Sequence, residues 1–328
     1  MDSPFLFTLF VIMVAYAFDF INGFHDAANS IATIVTTKVL TPKQAVIWAA
    51  FFNFIAFLVF NLTVAKTIGS DLIDAHIVDA HFILAALIGA IFWNLVTWYY
   101  GLPSSSSHAL IGGLAGAAIA KGGFSSLKMT GFAKVIGGIF VSPALGLVVA
   151  LFITYFFYKF SKNSKQTHFK FFKGFQLCSS ALLSLTHGSN DGQKTMGIIS
   201  ILLFSAAWIE GPFYVPCWVV ISCQAAISLG TLAGGWRIVH TMGTQITKLD
   251  TIKGCAAETG AAISLFIATQ SGIPVSTTHT VTGAIAGVGL TNGLAGPHWR
   301  VIRRIFFSWL ITIPAAAIIA AALVLSNI

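Results

Sequence analysis

The 328-residue chain is 56% hydrophobic and only 9% charged, with a formal net charge of +8 and a mean hydropathy of +0.86. Soluble globular domains devote about a quarter of their residues to charge, so a water-soluble globule is excluded and the chain reads as an all-α polytopic membrane protein. The basic excess is confined to short connectors and forms no stripe interleaved with aromatics, which argues against a nucleic-acid partner and makes the charge a topology signal.

The first apolar run, residues 5–21, is close to the roughly 20 residues that cross a hydrocarbon core. The start MDSPFLF has no basic n-region and no small-residue cleavage pattern after it, so this run is expected to be a retained helix rather than a signal peptide. NGFHDAANS (residues 22–30) follows and places Asp26 in apolar surroundings; an acid at membrane depth marks a functional site unless it answers a nearby lysine. Lys38 and Lys43 precede a second run, 44–64, and the connector 66–81 then carries Asp71, Asp74 and Asp79 against one lysine. The run 82–100 ends at GLPSSSSH (residues 101–108), after which 109–120 is rich in glycine and alanine. A proline behind a glycine breaks a helix, and Ser or Thr favours the N-cap of the next one. The run 135–158 leads to a central connector with Lys159, Lys162, Lys165, Lys170 and Lys173 and no acid.

Beyond that connector the chain repeats itself. HGSNDGQKT (residues 187–195) aligns without gaps on NGFHDAANS at an offset of 165, matching Gly188 with Gly23 and Asp191 with Asp26. GIPVSTTH (residues 272–279) repeats the frame of GLPSSSSH at an offset of 171. Two motifs in the same order and nearly the same register identify a duplication of about 170 residues. The second part also holds the base-free turn 210–212, the run 214–234, a basic connector with Arg237, Lys248 and Lys253, another with Arg300, Arg303 and Arg304, and the run 305–325. Trp98, Tyr99, Trp208, Trp236 and Trp299 fall near run ends, where interfacial aromatics belong.

The positive-inside rule puts the three basic connectors in the cytoplasm and the acidic connector, the 210–212 turn and both termini outside. The first half then crosses an odd number of times and the second starts on the opposite face, which is an inverted repeat. This trace requires 82–120 and 254–289 each to enter and leave on one face as re-entrant hairpins, and it leaves Lys121, Lys128 and Lys134 outside. The expected architecture is two inverted-topology repeats with broken helices and two re-entrant hairpins, about ten to twelve helical segments in all. Residues 1–158 form the first repeat, 159–174 a short cytoplasmic connector and 175–328 the second repeat.

Ser105, Ser106, Ser107, Ser276, Thr277 and Thr278 are expected at N-cap and first-turn positions of half-helices, where free amides, the helix dipole and hydroxyls make an anion cradle. The plainer alternative is that they only cap broken helices. His108 and His279 follow and fit either a site or packing. Around Asp26 and Asp191 lie Asn22, His25, Asn29, Asn190, Gln193, Lys194 and Thr195, suited to a hard cation or to an oxyanion. Lys194 aligns with Asn29, so an ammonium stands either where a cation would bind or against an anionic substrate. Glu258, aligned with Leu87, is a candidate proton carrier or a partner of Lys253. Gly112, Gly116, Gly283 and Gly287, spaced by four, are read as close-packing positions. Cys178, Cys217, Cys223 and Cys255 make no CxxC pair, and neither a disulfide framework nor a metal site is expected from them.

NGFHDAANSIATIV, THGSNDGQKTMGI, GLPSSSSHALIGG and GIPVSTTHTVTGAIAGVG together resemble the paired signatures of the inorganic phosphate transporter (PiT) family, most closely its bacterial low-affinity branch, over about residues 10–325. The resemblance implies an inverted-repeat symporter of the bacterial cytoplasmic (inner) membrane that imports inorganic phosphate by alternating access, without a cofactor. It also implies a proton-coupled species or a neutral divalent metal–phosphate complex in the bacterial branch, and sodium in others. Carried over, Ser105, Ser106, Ser107, Ser276, Thr277 and Thr278, with Asn29 and Lys194, contact phosphate, while Asp26, Asp191, Asn22 and Asn190 hold the coupling cation. Lys194 favours H+ over Na+ as the coupling ion, with Glu258 as the candidate carrier. Partners are phosphate and membrane lipids, and assembly as a homo-oligomer is left open. SSSS, where a V-S-T/S-T/S turn is more usual, moves one apolar position to Ser104. Rival classes are an anion channel on the same scaffold and an intramembrane Ser/His/Asp hydrolase; the latter needs one activated nucleophile, whereas these elements come in pairs and no G-x-S-x-G elbow exists.

Overall fold

The computed structural model describes residues 3–161 and 165–326; Lys162 lies outside them. Twelve α-helices follow one another in the described residues: α1 (Ser3–Thr36), α2 (Pro42–Ile55), α3 (Thr63–Ser70), α4 (Ala80–Tyr99), α5 (Ser106–Gly122), α6 (Met129–Phe160), α7 (Lys165–Ser205), α8 (Cys217–Ala233), α9 (Trp236–His240), α10 (Thr251–Gln270), α11 (Thr277–Gly289) and α12 (Trp299–Leu325). The only extended pairing in these residues is an isolated bridge between Ile73 and Leu127, so the all-α reading holds. Four helices, α1, α4, α6 and α12, are long and apolar enough to cross a membrane, or up to six spans if each of two bent pairs counts as one.

Helices α1–α6 and α7–α12 pack reciprocally. α5 lies on α12 as α11 lies on α6, α4 on α12 as α10 on α6, α1 on α8 as α7 on α2, and α3 on α7 as α9 on α1. The duplicated glycines make the first of these contacts possible. A methyl group added at Gly116 would sit 2.0 Å from the Ala317 carbonyl oxygen of α12, and one at Gly287 would sit 2.3 Å from the Leu147 carbonyl oxygen of α6. Both are inside van der Waals contact, so the backbones can approach only because no Cβ is present, the packing role expected for this spacing. Overpacking of this kind costs about 1–3 kcal/mol. Gly116→Ala is therefore expected to lower the thermal midpoint of the detergent-solubilised protein by several degrees, and an unchanged midpoint would contradict the contact.

The helices differ from the expected runs at four places. The run 44–64 is not one straight helix but the bent pair Pro42–Leu58 and Thr63–Ser70, turning by 79°, and 214–234 is the first arm of the pair Cys217–Ala233 and Trp236–Gln245, turning by 64°. The first bend is held by a side chain remote in sequence: Gln193 Oε1 accepts from the Val64 and Ala65 amides at 3.0 and 3.2 Å, and its Nε2 donates to the Asn61 carbonyl. Those amides open α3 and have no intrahelical acceptor of their own. The segment expected as connector 159–174 is largely helical, since α7 starts at Lys165 and continues for 41 residues. Helix α1 likewise runs past the expected end at residue 21 to Thr36, carrying the first motif in its interior.

The two ends of the segment 82–120 meet. Asp79 caps α4 through the Phe82 amide at 2.9 Å and pairs with Lys121 near the end of α5. Lys128 donates to the Ser70 carbonyl beside the same acidic stretch, so these two lysines share an end of the bundle with the acids of the 66–81 connector. Partial burial by itself would raise the Asp79 pKa, but Lys121 and the Phe82 amide outweigh it and hold the carboxyl below its usual value. At the opposite end, Tyr158 donates to Asp250 at 3.3 Å and Thr37 to Gln176 at 3.0 Å.

The α4–α5 and α10–α11 turns each rest on the short arm of a bent pair. Arg237 donates to the Tyr99 carbonyl at 2.5 Å and Thr241 to the Gly101 carbonyl at 2.8 Å. Thr63 donates to the Thr269 carbonyl at 3.0 Å and Thr67 to the Gly272 carbonyl at 2.9 Å.

Candidate functional site

At both proline turns the chain stops being helical and restarts at a capped helix. Ser105 takes the His108 amide at 3.2 Å and Ser276 the His279 amide at 3.2 Å. These two hydroxyl oxygens are thus engaged as caps. The amides of Ser106 and Ser107, and of Thr277 and Thr278, open α5 and α11, where helix geometry provides no intrahelical acceptor. All six residues are buried. The two first turns face each other closely enough for the His108 and His279 rings to meet edge to face at 4.6 Å, and His279 stacks on Trp309 of α12 at 3.7 Å. Trp309 Nε1 in turn donates to the Pro103 carbonyl at 2.9 Å. Both histidines therefore serve the packing of the two turns.

The acids of α1 and α7 come to the same place. Thr277 donates to Asp191 Oδ2 at 2.9 Å, and Thr278 Oγ1 lies 3.4 Å from Asp26 Oδ1. Asn29 donates to Thr277 and Thr278 at 3.2 and 3.0 Å. Lys194 Nζ, 1% exposed, donates to Asp191 Oδ1 at 2.5 Å, to the Val275 carbonyl at 3.0 Å and to the Ser107 hydroxyl. Sequence elements more than 80 residues apart thus share one hydrogen-bonded cluster, since Lys194 reaches Ser107 across 87 positions.

His25, expected beside Asp26, is joined by Thr97, His187 and Asp19, which the sequence-based site lacked. His25 lies between Asp26 Oδ1 at 2.7 Å and Thr97 Oγ1 at 3.0 Å, and Ser104 donates to Thr97 at 2.8 Å. His187 Nε2 is 3.3 Å from Asp191 Oδ2. One ligating atom each from Asp26, His187 and Asp191 lie within 4.8 Å of one another, all buried, a donor set able to hold a cation. Asp19 is the third buried acid of the two long helices and accepts from Thr195 at 2.9 Å; its signal, an acid inside the run 5–21, was available in the sequence. The positions of His25 and His187 beside the repeated acids were available too.

Two expected members stand apart. Asn190 donates to Thr269 of α10 at 3.1 Å, and Gln193 holds the α2–α3 bend described above. Glu258 is fully buried and makes no ion pair with Lys253; it accepts from Thr33 at 2.6 Å, Gln176 at 2.9 Å and Ser179 at 2.6 Å. Thr33 is one helical turn beyond Asn29 on α1, which puts Glu258 next to the central cluster without joining it. Among the described residues, buried polar atoms that find no partner in the protein include Asn22 Oδ1, Asn29 Oδ1, Asn190 Oδ1 and Ser106 Oγ. Buried polar groups are nearly always satisfied, so these unpartnered atoms within the repeated motifs fit a site that receives a polar ligand.

Polar groups sequestered among membrane-length helices, at the meeting of two packed halves, serve a solute that must cross the bundle; fold and site together define a membrane transport protein. Residues 22–320 match the model of the phosphate transporter family, and the chain belongs to that family. It is 57% identical to a "Probable low-affinity inorganic phosphate transporter" of Rhizobium meliloti, covering 98% of this chain and 97% of the relative. A protein of the same description from Bacillus subtilis is 45% identical over 98% and 97% of the two chains. A solved structure described as "The sodium-dependent phosphate transporter" superposes with a TM-score of 0.88 at 24% identity, covering 98% of this chain and all of that one. The function of this chain is transport, not catalysis.

Proposed function

We propose that the protein is a secondary active symporter that imports inorganic phosphate by alternating access, driven by protons. The observation that carries the reading is the pair of facing helix N-termini set against two buried carboxylates. Phosphate would be held by the free amides and hydroxyls of Ser106, Ser107, Thr277 and Thr278, with Asn29 beside them. Ser105 and Ser276 would shape the turns as caps. Asp26, near Asn22, would bind or exchange the mobile coupling cation, Asp191, near Asn190, would hold positive charge on the opposite half, and Glu258 would carry the proton.

The charges supply a physical reason for coupling. Asp26 and Asp191 contribute two negative charges against one positive from Lys194, so an anion entering this low-dielectric core meets net repulsion. Phosphate becomes acceptable only when cations or protons accompany it, which disfavours a simple anion channel. A divalent metal–phosphate complex would meet the same requirement. The converging Asp26, His187 and Asp191 support sodium as a second reading for the coupling ion, as does the name of the structural neighbour.

In this reading residues 1–158 and 175–328 are inverted repeats about the 159–174 segment. The hairpins α4–α5 and α10–α11 are re-entrant gates, and the basic ends face the cytoplasm of a bacterial inner membrane with both termini outside. The reciprocal packing of the halves supports this arrangement, as does the gathering of Asp79, Lys121 and Lys128 at one end. Labelled phosphate uptake into proteoliposomes tests it. Accumulation above equilibrium under an imposed inward pH gradient is expected. Accumulation driven by sodium alone would move the assignment to the second reading, and dissipation of a phosphate gradient without accumulation would make the protein a channel.

A further inference from the structure

Lys194 has surroundings that a lysine seldom has. Its ammonium is buried and its three partners are a carboxylate, Asp191 Oδ1, a hydroxyl, Ser107, and a main-chain carbonyl, Val275. These oxygen types are the ones that coordinate hard cations. The first half also has oxygens at the matching positions, with the Ser104 hydroxyl where Val275 offers its main-chain carbonyl. The offsets of 165 and 171 carry Asp191 onto Asp26, Ser107 onto Thr278 and Val275 onto Ser104. Thr278 Oγ1 is 3.4 Å from Asp26 Oδ1, and the Ser104 hydroxyl is 3.4 Å from the His25 ring that Asp26 binds. At the position of Lys194 that half has Asn29, whose Oδ1 is buried and finds no partner in the protein.

Resting on the transport reading above, we infer that the Lys194 ammonium is a tethered coupling cation: it permanently fills one of two equivalent cation positions, so the chain needs one fewer mobile monovalent cation per phosphate carried. The ammonium does not cross with the substrate. It neutralises Asp191 in every state of the cycle and leaves Asp26 as the position where a mobile cation or proton must still arrive. Direct pairing of Lys194 with phosphate is less favoured, because its donors are already directed to three protein oxygens.

Replacing Lys194 with Asn, the residue its counterpart position carries, uncovers the oxygen cage and supplies one more oxygen. The test compares wild type, Lys194→Asn and Lys194→Met as full-length protein in sodium chloride and in choline chloride. Thermal stability without phosphate is read first. Sodium is expected to raise the midpoint of Lys194→Asn by several degrees beyond its effect on wild type, since a ligand that binds only the folded state stabilises it. Labelled phosphate uptake is read second. Uptake by Lys194→Asn is expected to be at least about tenfold lower in choline and to recover with sodium, because a buried charge left without its partner is strongly unfavourable. Lys194→Met, with neither charge nor an oxygen ligand, is expected to show no recovery.

The inference is overturned if Lys194→Asn transports equally in both salts relative to wild type, or if it loses uptake in both and sodium does not stabilise it. If wild type itself fails to accumulate phosphate, the transport reading fails. The sodium stabilisation of Lys194→Asn still decides whether the cage binds a monovalent cation.

Discussion

Phosphate uptake by proteoliposomes is expected to fall by at least about 100-fold in both Asp26→Asn and Asp191→Asn, but the two variants should differ in stability. Among the described residues Asp191 is the only carboxylate on the Lys194 ammonium, at 2.5 Å, and it also accepts from Thr277 at 2.9 Å. The amide keeps an oxygen near one of these donors and removes the charge, leaving a buried ammonium supported by a hydroxyl and a carbonyl alone. Breaking a buried pair by neutralising one member costs about 3–5 kcal/mol, about two to nearly four orders of magnitude in an equilibrium constant. Asp191→Asn should therefore lose both transport and several degrees of thermal midpoint. Asp26 is paired with His25 at 2.7 Å and, among the described residues, with no lysine. Its amide leaves no uncompensated ammonium, so the midpoint should stay near wild type while uptake is lost. Initial rates of labelled phosphate uptake and melting of the purified protein check both statements; full accumulation by either variant would remove that aspartate from the mechanism.

Glu258→Gln separates driving force from substrate handling. The carboxyl accepts from Thr33 and Gln176 through Oε1 and from Ser179 through Oε2, and it makes no contact with the two proline turns. If it carries the proton, the glutamine variant cannot load or release one and accumulation under a pH gradient should fall by at least about 100-fold. Exchange of labelled for unlabelled phosphate across the same membrane needs no net proton movement and should continue within about threefold of wild type. An amide NH2 set against a former donor leaves at least one buried group unpaired, which costs about 1–3 kcal/mol. A modest loss of thermal midpoint is therefore expected alongside the transport phenotype. Gradient-driven accumulation at the wild-type level would exclude Glu258 as the carrier; loss of exchange together with accumulation would place it in substrate handling instead.

Local features are legible in the amino-acid sequence alone. GLPSSSSH and GIPVSTTH announce broken helices because proline and the Ser cap act on a backbone only three residues away, and the fold has a restart at Ser106 and at Thr277. Gly116 and Gly287 announce close helix contact because the absence of a side chain is itself the signal. Helix α7 is less legible. Its polar residues disqualify it as an apolar run, yet it is continuous because those residues are buried against other segments, where Gln193 meets Asn61 and Thr195 meets Asp19. The bend between α2 and α3 is hidden for the same reason, since the group that satisfies its amides lies about 130 residues away in the chain.

The sequence by itself determined that this chain lives in a membrane, that two of its motifs recur in the same order, and where its helices break. All three follow from hydropathy, register and short-range steric or capping effects. Only the tertiary structure decided what the polar residues do with one another. It made caps of Ser105 and Ser276, turned Gln193 into the clamp of a bend, surrounded Glu258 with three donors, and directed the Lys194 ammonium onto Asp191, Ser107 and Val275. Those assignments depend on which distant oxygens a buried donor meets. In a low-dielectric interior each such donor must be satisfied, whatever its separation along the chain.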